Sequence, residues 1–306
     1  MGKRIFLFLA TNILIMVAIT VVVSLVGAFF PGLGLGRMHG SHLQLGGLAV
    51  MCLIWGMVGS LISLLISRWM AKMSMGVQLM DGNTGDRELD WVYETIQRLT
   101  RESALPMPEV GYYDSPEVNA FATGPSKSRS LIAVSTGLLR TMNRAETEGV
   151  LAHEISHIAN GDMVTMTLIQ GVVNAFVMFF ARIVGWAAGQ AMQGNRDRDE
   201  GPSMGAYFAQ MAVTIVAEIV FGILASTVTA WFSRQREFRA DAGSARLAGR
   251  DKMVAALRKL QSYQEAVDPR GPQLATMKIS GKQSWMHMFS THPALEDRIA
   301  ALESGR

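Results

Sequence analysis

The sequence has a single cysteine and few charged residues, and each shortage excludes a class of protein. Cys52 has no partner among the 306 residues, so the chain forms no internal disulfide and no cysteine-based zinc site. Only 17% of the residues are charged, against roughly 25% in an ordinary soluble protein. The net charge of +3 is small and scattered, which argues against binding to nucleic acid.

The sequence contains long hydrophobic runs. Hydrophobic residues make up 49% of the chain, and the mean hydropathy is positive. Four runs are long enough to cross a bilayer as helices, at residues 5–30, 45–66, 163–181 and 207–232. The sequence therefore predicts a mainly α-helical membrane protein with four transmembrane helices.

Basic residues flank these runs unevenly, and the asymmetry predicts an orientation. They precede the first run and follow the second and fourth runs, whereas the loop between the first two runs carries only Arg37. The flanking residues are Lys3, Arg4, Arg68, Lys72, Arg234, Arg236 and Arg239. Because such residues remain on the cytoplasmic side, both termini and the segment between the second and third runs are predicted to be cytoplasmic.

The runs divide the chain into four segments. Residues 1–72 form a predicted N-terminal transmembrane hairpin, and residues 163–232 form a second one. Residues 73–162 form the first cytoplasmic half of a predicted domain, and residues 233–306 form its helical C-terminal half.

The first cytoplasmic half combines a helix with short strands. An amphipathic helix is predicted at residues 87–102, because apolar residues recur there at helical spacing. Short β-prone runs follow at 110–113, 118–123 and 131–135, separated by turn residues. We expect a small antiparallel sheet, and the order of helix, sheet and metal helix is that of a zincin-like α+β domain.

The stretch His153-Glu154-Ile155-Ser156-His157 carries the strongest chemical signal. Residues four apart lie on one face of a helix, so both imidazoles can reach one metal ion. The intervening glutamate can reach a water molecule on that ion without binding it. This is the HExxH pattern of zinc metalloproteases.

Helix signals support this interpretation. Asn143 followed by Glu146 predicts a capping box, and Gly161 predicts a helix stop, so a helix is expected over residues 144–160. The alternative is a polar surface helix that happens to carry two histidines. His39 and His42 have a metal-like spacing too, but they lie in a predicted loop, where exposed polar residues are the better interpretation.

A catalytic zinc needs three protein ligands and one open position, so a further ligand must come from elsewhere. Glu237 and Asp241 follow the fourth run on the same predicted side of the membrane as the histidines. One of them can ligate while the other orients a ligand histidine. Spacing alone does not decide which, and a charged helix next to the membrane is the alternative.

Glu218 interrupts the fourth run, and a carboxylate inside a membrane is costly. A polar contact with Asn174 or Gln170 of the preceding run is favoured over a pathway for protons.

The chain resembles the HtpX family of heat-shock membrane metalloproteases, relatives of the CAAX-prenyl endopeptidases and the mitochondrial protease Oma. The resemblance covers nearly the whole chain: four hydrophobic runs, Asn119-Ala-Phe-Ala-Thr-Gly, HEISHIANGDM, SRQREFRADAGSA and Thr291-His292-Pro293. It implies one Zn2+ held by His153, His157 and Glu237, with Glu154 as the catalytic base and Asp241 orienting a ligand. It also implies a protein of the bacterial inner membrane that cleaves damaged or misassembled membrane proteins.

Further roles are predicted around this site. His292, in a Thr-His-Pro turn, is the candidate donor to the oxyanion, with a capping or structural role as the alternative. Arg298, in a predicted helix at 294–302, would brace an acidic site residue. An edge strand would bind extended, unfolded substrate through main-chain hydrogen bonds; its residues are Asn119, Ala120, Phe121 and Ala122.

Two other functions stay open at this stage. One is a transport or signalling membrane protein with a structural zinc, in which Glu218 is the working residue. The other is a processing peptidase with one narrow substrate. Glu154 argues against the first, because a structural zinc needs no base between its ligands. The sequence does not separate broad from narrow specificity, and it does not indicate an oligomeric state.

Overall fold

A computed structural model describes residues 17, 19–29, 45–193, 204–267 and 292–305. The chain divides into two compact units, each made of two chain segments. The first unit comprises Met1–Ser63 with Thr167–Thr229, and the second comprises Leu64–Met166 with Ala230–Arg306. Apolar helices make up the described part of the first unit, whereas the second contains a sheet and the HExxH helix.

Among the described residues, three helices are long and apolar enough to cross a membrane. They are α2 (Leu45–Met75), α6 (Asp162–Gln193) and α7 (Met204–Ser244), and they contain three of the four predicted runs. Helix α1 is shorter, at Ile19–Phe29, and most of the rest of the first predicted span lies outside the described residues. The first span, and with it the count of four, therefore stays a prediction.

Small residues bring helices of the first unit together. A Cβ atom added to Gly56 of α2 would lie 2.8 Å from the backbone nitrogen of Ala175 in α6. Such close backbone contact is typical of helices that pack in lipid. Large side chains such as Phe176 and Ile215 are instead more than half exposed, which suits a surface in contact with lipid tails.

Glu218 takes part in a contact between α6 and α7, but its predicted partners were wrong. Its carboxylate lies 3.3 Å from the guanidinium of Arg182, whereas Gln170 and Asn174 hydrogen-bond to each other at 2.7 Å. The sequence interpretation ended the third span before Arg182. Helix α6 instead continues to Gln193, so the arginine lies inside an apolar helix, where an unpaired charge is costly.

The second unit contains a four-stranded sheet. Its strands are β1 (Gln78–Met80), β2 (Glu109–Tyr113), β3 (Ala120–Ser126) and β4 (Arg129–Ser135), in the spatial order β1-β2-β4-β3. The β1–β2 and β3–β4 pairs are antiparallel, whereas β2 and β4 are parallel. The small sheet is therefore mixed, and the prediction of an antiparallel sheet was wrong only for the β2–β4 pair. β3 and β4 form a hairpin, and its second strand, β4, pairs with β2, which leaves β3 at the edge.

Helices cover this sheet and supply its core. Helix α3 (Arg87–Glu102) begins at Asp86, whose carboxylate accepts hydrogen bonds from the first turn. Helices α4 (Thr136–Thr141) and α5 (Arg144–Asn160) follow the sheet. Fully buried apolar residues of α3, β4 and α5 form one cluster, which includes Val92, Ile96, Ile132, Leu151 and Ile155.

Helices make up most of the described residues in the C-terminal part of this unit. Helix α7 continues without a break to Ser244, so the segment that carries Glu237 is its last part. A π-helical turn, Ala245–Gly249, leads into α8 (Arg250–Val267). Helix α9 (Leu295–Glu303) packs on α8 through a second apolar cluster that includes Leu257 and Ile299.

Candidate metal centre

Helix α5 begins and ends where the sequence predicts. The Asn143 side chain accepts a hydrogen bond from the Glu146 N–H, and the Glu146 carboxylate accepts one from the Asn143 N–H, which completes the capping box. Gly161 stops the helix in the left-handed region, at φ 69°. The motif histidines therefore lie near the end of a regular, well-capped helix.

The structure brings the three predicted ligands together. The Nε2 atoms of His153 and His157 are 3.1 Å apart. The carboxylate of Glu237, from α7, lies 3.6 Å from the first of these nitrogens and 3.5 Å from the second. One ligand atom from each residue lies within 4.8 Å of the other two, which is close enough for a shared ion. Among the described residues no other such group is found.

The group also fits zinc chemically. Glu237 is only 2% exposed, and its Oε1 atom has no hydrogen-bond partner among the described residues. A buried carboxylate oxygen in that state is costly unless a cation or a donor satisfies it. Two imidazole nitrogens and one carboxylate oxygen form a donor set typical of catalytic zinc, whereas magnesium and calcium prefer oxygen ligands alone.

Asp241 lies behind His153, on the opposite side of the ring from the metal group. Its Oδ1 atom is 2.9 Å from Nδ1 of His153, an ion-pair distance without the alignment of a good hydrogen bond. Arg298 of α9 donates to both oxygens of Asp241, at 2.7 and 2.6 Å. The structure thus places Glu237 with the ligand atoms, and it places Asp241 in an orienting position braced by Arg298.

The sequence interpretation missed Asp162. This residue begins α6 directly after Gly161, is 3% exposed, and has a carboxylate oxygen 2.6 Å from Nδ1 of His157. Each histidine therefore has a carboxylate at Nδ1, which leaves Nε2 free to bind a metal. The signal in the sequence was an acidic residue immediately after a predicted helix stop.

Ionic contacts govern the charge of the group. Burial lowers the pKa of His153, but its contacts with Asp241 and Glu237 outweigh burial and raise the pKa to about 9. Burial raises the pKa of Glu237, but His153 and His292 hold it well below its usual range. Burial similarly raises the pKa of Asp241, and Arg298 and His153 bring it below its usual value. The site therefore holds Glu237 and Asp241 as anions.

Glu154 and His292 line the same cavity as the metal group, a space of about 380 Å³. Glu154 is half-buried, one position along α5 from His153. The side chain of His292 is 63% exposed, and its Nδ1 atom lies 3.3 Å from the Glu237 carboxylate. His39 and His42 lie outside the described residues.

The predicted substrate strand lies beside this group. The residues Asn119, Ala120, Phe121 and Ala122 line the cavity, and β3 is the edge strand of the sheet. Ser135 anchors the start of that strand, because its hydroxyl accepts a hydrogen bond from the Asn119 N–H and its own N–H donates to the Asn119 carbonyl.

The chain is similar to known proteins over nearly its whole length. The model of peptidase family M48 matches residues 86–306. The chain is 49% identical over 305 residues to Protease HtpX of Tolumonas auensis, covering 99% of this chain and 100% of that protein. It is 51% identical over 300 residues to Protease HtpX of Aeromonas hydrophila, covering 98% and 99%.

A solved structure shares the fold. The crystal structure of S. mikatae Ste24p matches with a TM-score of 0.61 at 18% identity. The match covers 99% of this chain and 66% of that one. At this identity the likeness concerns the fold alone, and it supports the predicted class of apolar helices with a small α+β domain.

Proposed function

The chain belongs to peptidase family M48, and we propose that it is a zinc-dependent endopeptidase of the bacterial inner membrane that cleaves misfolded or damaged membrane proteins at cytoplasmic segments. Family membership makes it a metalloprotease, and its relatives and apolar helices make it an integral membrane protein. The observation that carries the proposal is the convergence of His153, His157 and Glu237 in a cavity that also holds Glu154 and an edge strand.

His153, His157 and Glu237 would hold the ion through two Nε2 atoms and a carboxylate oxygen. Zinc, when bound, supplies the Lewis acidity that acidifies water and polarises a carbonyl. Glu154 accepts a proton from the attacking water and delivers it to the nitrogen of the leaving amine. Its half-buried position in the cavity suits both transfers.

His292 would donate a hydrogen bond to the oxyanion that develops on the cleaved carbonyl. Support comes from its contact with the Glu237 carboxylate and its place in the cavity lining. Replacement of His292 by Phe should lower kcat more than it raises KM and should leave the zinc content unchanged. A loss of zinc or of folded protein instead would assign His292 a structural role.

The edge strand supports a broad substrate range. An extended segment that pairs with β3 is held by its own main chain, so its side chains need not match a fixed sequence. Unfolded parts of membrane proteins offer such segments, whereas folded domains keep their main chain paired. This is the basis for a role in quality control rather than in the processing of one substrate.

The active site and both termini face the cytoplasm in this proposal, because basic residues flank the ends of the apolar runs. A Cys52→Ser protein with a single cysteine at Ser126 or Ser203 tests this orientation. Ser126 lies in β3, and Ser203 lies outside the described residues, between the third and fourth runs of the sequence. An impermeant reagent applied to intact cells should label position 203 and spare position 126. Labelling of position 126 would reverse the orientation and with it the substrate class.

A Glu154→Gln protein tests the enzymatic proposal. The change removes the base and no predicted ligand, so zinc content should stay at one ion per chain while cleavage of unfolded casein falls by about 100-fold or more. Glu94→Gln is the matched control, because Glu94 is exposed on α3. Both variants are assayed as full-length protein in detergent. Full activity of zinc-loaded Glu154→Gln protein would exclude this mechanism and favour a membrane protein with a structural metal.

A further inference from the structure

Two arginines among the described residues line the cavity, and they differ in how well they are paired. Arg298 donates to both oxygens of Asp241 and is only 7% exposed, so its charge is neutralised inside the fold. The side chain of Arg236, on α7, is instead 26% exposed. Of the two, Arg236 is the one that offers surface to a bound substrate.

The guanidinium of Arg236 is poorly satisfied within the fold. Its Nε atom is buried and has no hydrogen-bond partner among the described residues. Its one ion pair in that part of the chain is with Glu237, whose Oε1 atom lies 3.6 Å from Nε, beyond hydrogen-bond distance. Because arginine stays charged at any physiological pH, a buried donor without an acceptor is costly. Arg236 therefore has the capacity to bind a further anion.

Zinc binding would weaken the one ion pair that Arg236 makes. Glu237 is a predicted metal ligand, and a carboxylate that binds a cation has much of its negative charge neutralised. The other acids of the cavity do not replace it in the described part of the chain, since Asp162 pairs with His157 and no ion pair joins Glu154 to Arg236. An anionic group that the substrate brings would compensate the arginine.

We infer that Arg236 is a specificity-determining residue that binds a carboxylate of the substrate close to the cleaved bond. Guanidinium and carboxylate can pair through two parallel hydrogen bonds, which favours a carboxylate over an amide of the same shape. The carboxylate belongs either to an aspartate or glutamate side chain or to a C-terminus a few residues after the bond. The inference rests on the proposed endopeptidase function and adds a substrate preference to it.

A simpler role for Arg236 is to set the orientation of the chain, because basic residues follow the fourth apolar run. That role requires a charge near the end of the run and no place in a cavity. Arg239 meets the same requirement at an exposed position of α7 and is not among the residues that line the cavity. It is therefore the matched control for Arg236.

The experiment uses full-length, zinc-loaded protein in detergent and a neutral peptide that it cleaves. In one set of peptides, both termini are blocked and an Asn is exchanged for Asp at successive positions on each side of the cleaved bond. A second set compares a free C-terminal carboxylate with an amide, placed a few residues after the bond. At one position the carboxylate should raise kcat/KM by about tenfold over its amide, as expected of a charge-assisted hydrogen bond at a partly exposed site. The set that shows the preference identifies the source of the carboxylate.

Substitutions on α7 then assign the preference to one residue. Arg236→Gln removes the charge, so the carboxylate-to-amide ratio of kcat/KM should fall to about one. Arg236→Lys keeps a charge but not the fork of donors, so its ratio should lie between those of Arg236→Gln and the wild type. Arg239→Gln should keep the wild-type ratio. All three variants should bind as much zinc as the wild type.

Peptide binding without cleavage gives a second readout. In zinc-loaded Glu154→Gln protein, the Kd of a labelled carboxylate peptide should be about tenfold lower than that of its amide. Addition of Arg236→Gln should remove this difference, whereas addition of Arg239→Gln should preserve it. A rise in salt concentration should reduce the difference, because the pair is partly exposed.

The outcomes separate the two proposals. A wild type without preference at any position, or an Arg236→Gln protein that loses activity equally on carboxylate and amide peptides, would overturn the pairing and leave the endopeptidase function in place. A loss of zinc in both Arg236→Gln and Arg236→Lys would overturn it too, because it would assign Arg236 to the metal centre. A failure of the zinc-loaded wild type to cleave every peptide and unfolded casein would overturn the proposed function, and the pairing with it.

Discussion

The candidate metal centre consists of two halves that the chain assembles in different ways. The local half is one continuous stretch, with His153, Glu154 and His157 on α5 and Asp162 directly after it. The remote half consists of Glu237 and Asp241 on α7 with Arg298 on α9. Each half supplies a carboxylate at the back of one histidine.

The halves differ in what else their residues hold. Asp162 contacts His157, which is five positions earlier in the sequence, so this contact is local. Asp241 contacts both His153 and Arg298, and the arginine is only 7% exposed. Asp241 therefore links α5, α7 and α9, whereas the one ion pair of Asp162 among the described residues is with His157. We therefore expect a change in the local half to affect zinc binding alone. A change in the remote half should affect both zinc binding and the free energy of unfolding.

Removal of the remote ligand should have the largest effect on metal binding. Glu237→Ala leaves two histidines as ligands, so zinc affinity should fall by more than about 100-fold, beyond the usual effect of losing a residue that only orients a ligand. Zinc content and competition with a chelator measure this. Glu154→Gln, in the same cavity, should keep its zinc. If Glu237→Ala bound zinc normally and Asp241→Ala did not, the roles of the two acids would have to be exchanged.

The two orienting acids give a direct test of the comparison. Asp162→Asn and Asp241→Asn should each weaken zinc binding by about 10- to 100-fold. Only Asp241→Asn should also reduce the free energy of unfolding, by about 3 kcal/mol, because it leaves the buried Arg298 without its carboxylate partner. Chemical unfolding of the metal-free proteins measures the difference. Equal losses of stability in the two variants would show that the halves are not distinct.

The smallest effect is expected at the start of the motif helix. Asn143→Ala removes the capping box and should lower the free energy of unfolding by about 1 kcal/mol. Zinc affinity of the folded protein should not change, because the cap lies nearly three turns before His153. Asn83→Ala, at an exposed position, is the control and should stay within about 0.5 kcal/mol of the wild type. Weaker zinc binding in Asn143→Ala would show that the helix start also positions the histidines.

The local half could be predicted because its signals lie within a few residues of one another. The capping box, the motif spacing and the glycine stop together predicted α5 with the bounds it has. Asp162 was missed because its contact depends on the left-handed turn at Gly161, which brings the chain back toward His157. The periodicity of apolar residues predicts where a helix lies, but it does not predict the direction that the chain takes after the helix ends.

The roles in the remote half came from the family resemblance, and the sheet needed the folded structure. Spacing left Glu237 and Asp241 equivalent, and in the structure each one meets a different side of the His153 ring. The strands β2 and β4 pair in parallel and are not consecutive in the chain. No turn residues connect them directly, so the sequence carries no local signal that predicts this pairing. Strand β1 has three residues, which is too short for a periodic pattern. The pairing of Arg182 with Glu218 likewise depends on where two separate helices meet.

The irregular end of strand β3 bears on protein solubility. Register between β3 and β4 shifts between Thr123 and Ser126, where Gly124 has φ 141° and Pro125 has no N–H to donate. Such interruptions are a known protection against edge-to-edge aggregation, because a second sheet cannot extend along the strand. Only a short stretch of the edge is regular enough to pair, which suits a peptide that binds and leaves. In the proposed function, this interruption protects the chain from growing into a fibre with its unfolded substrates.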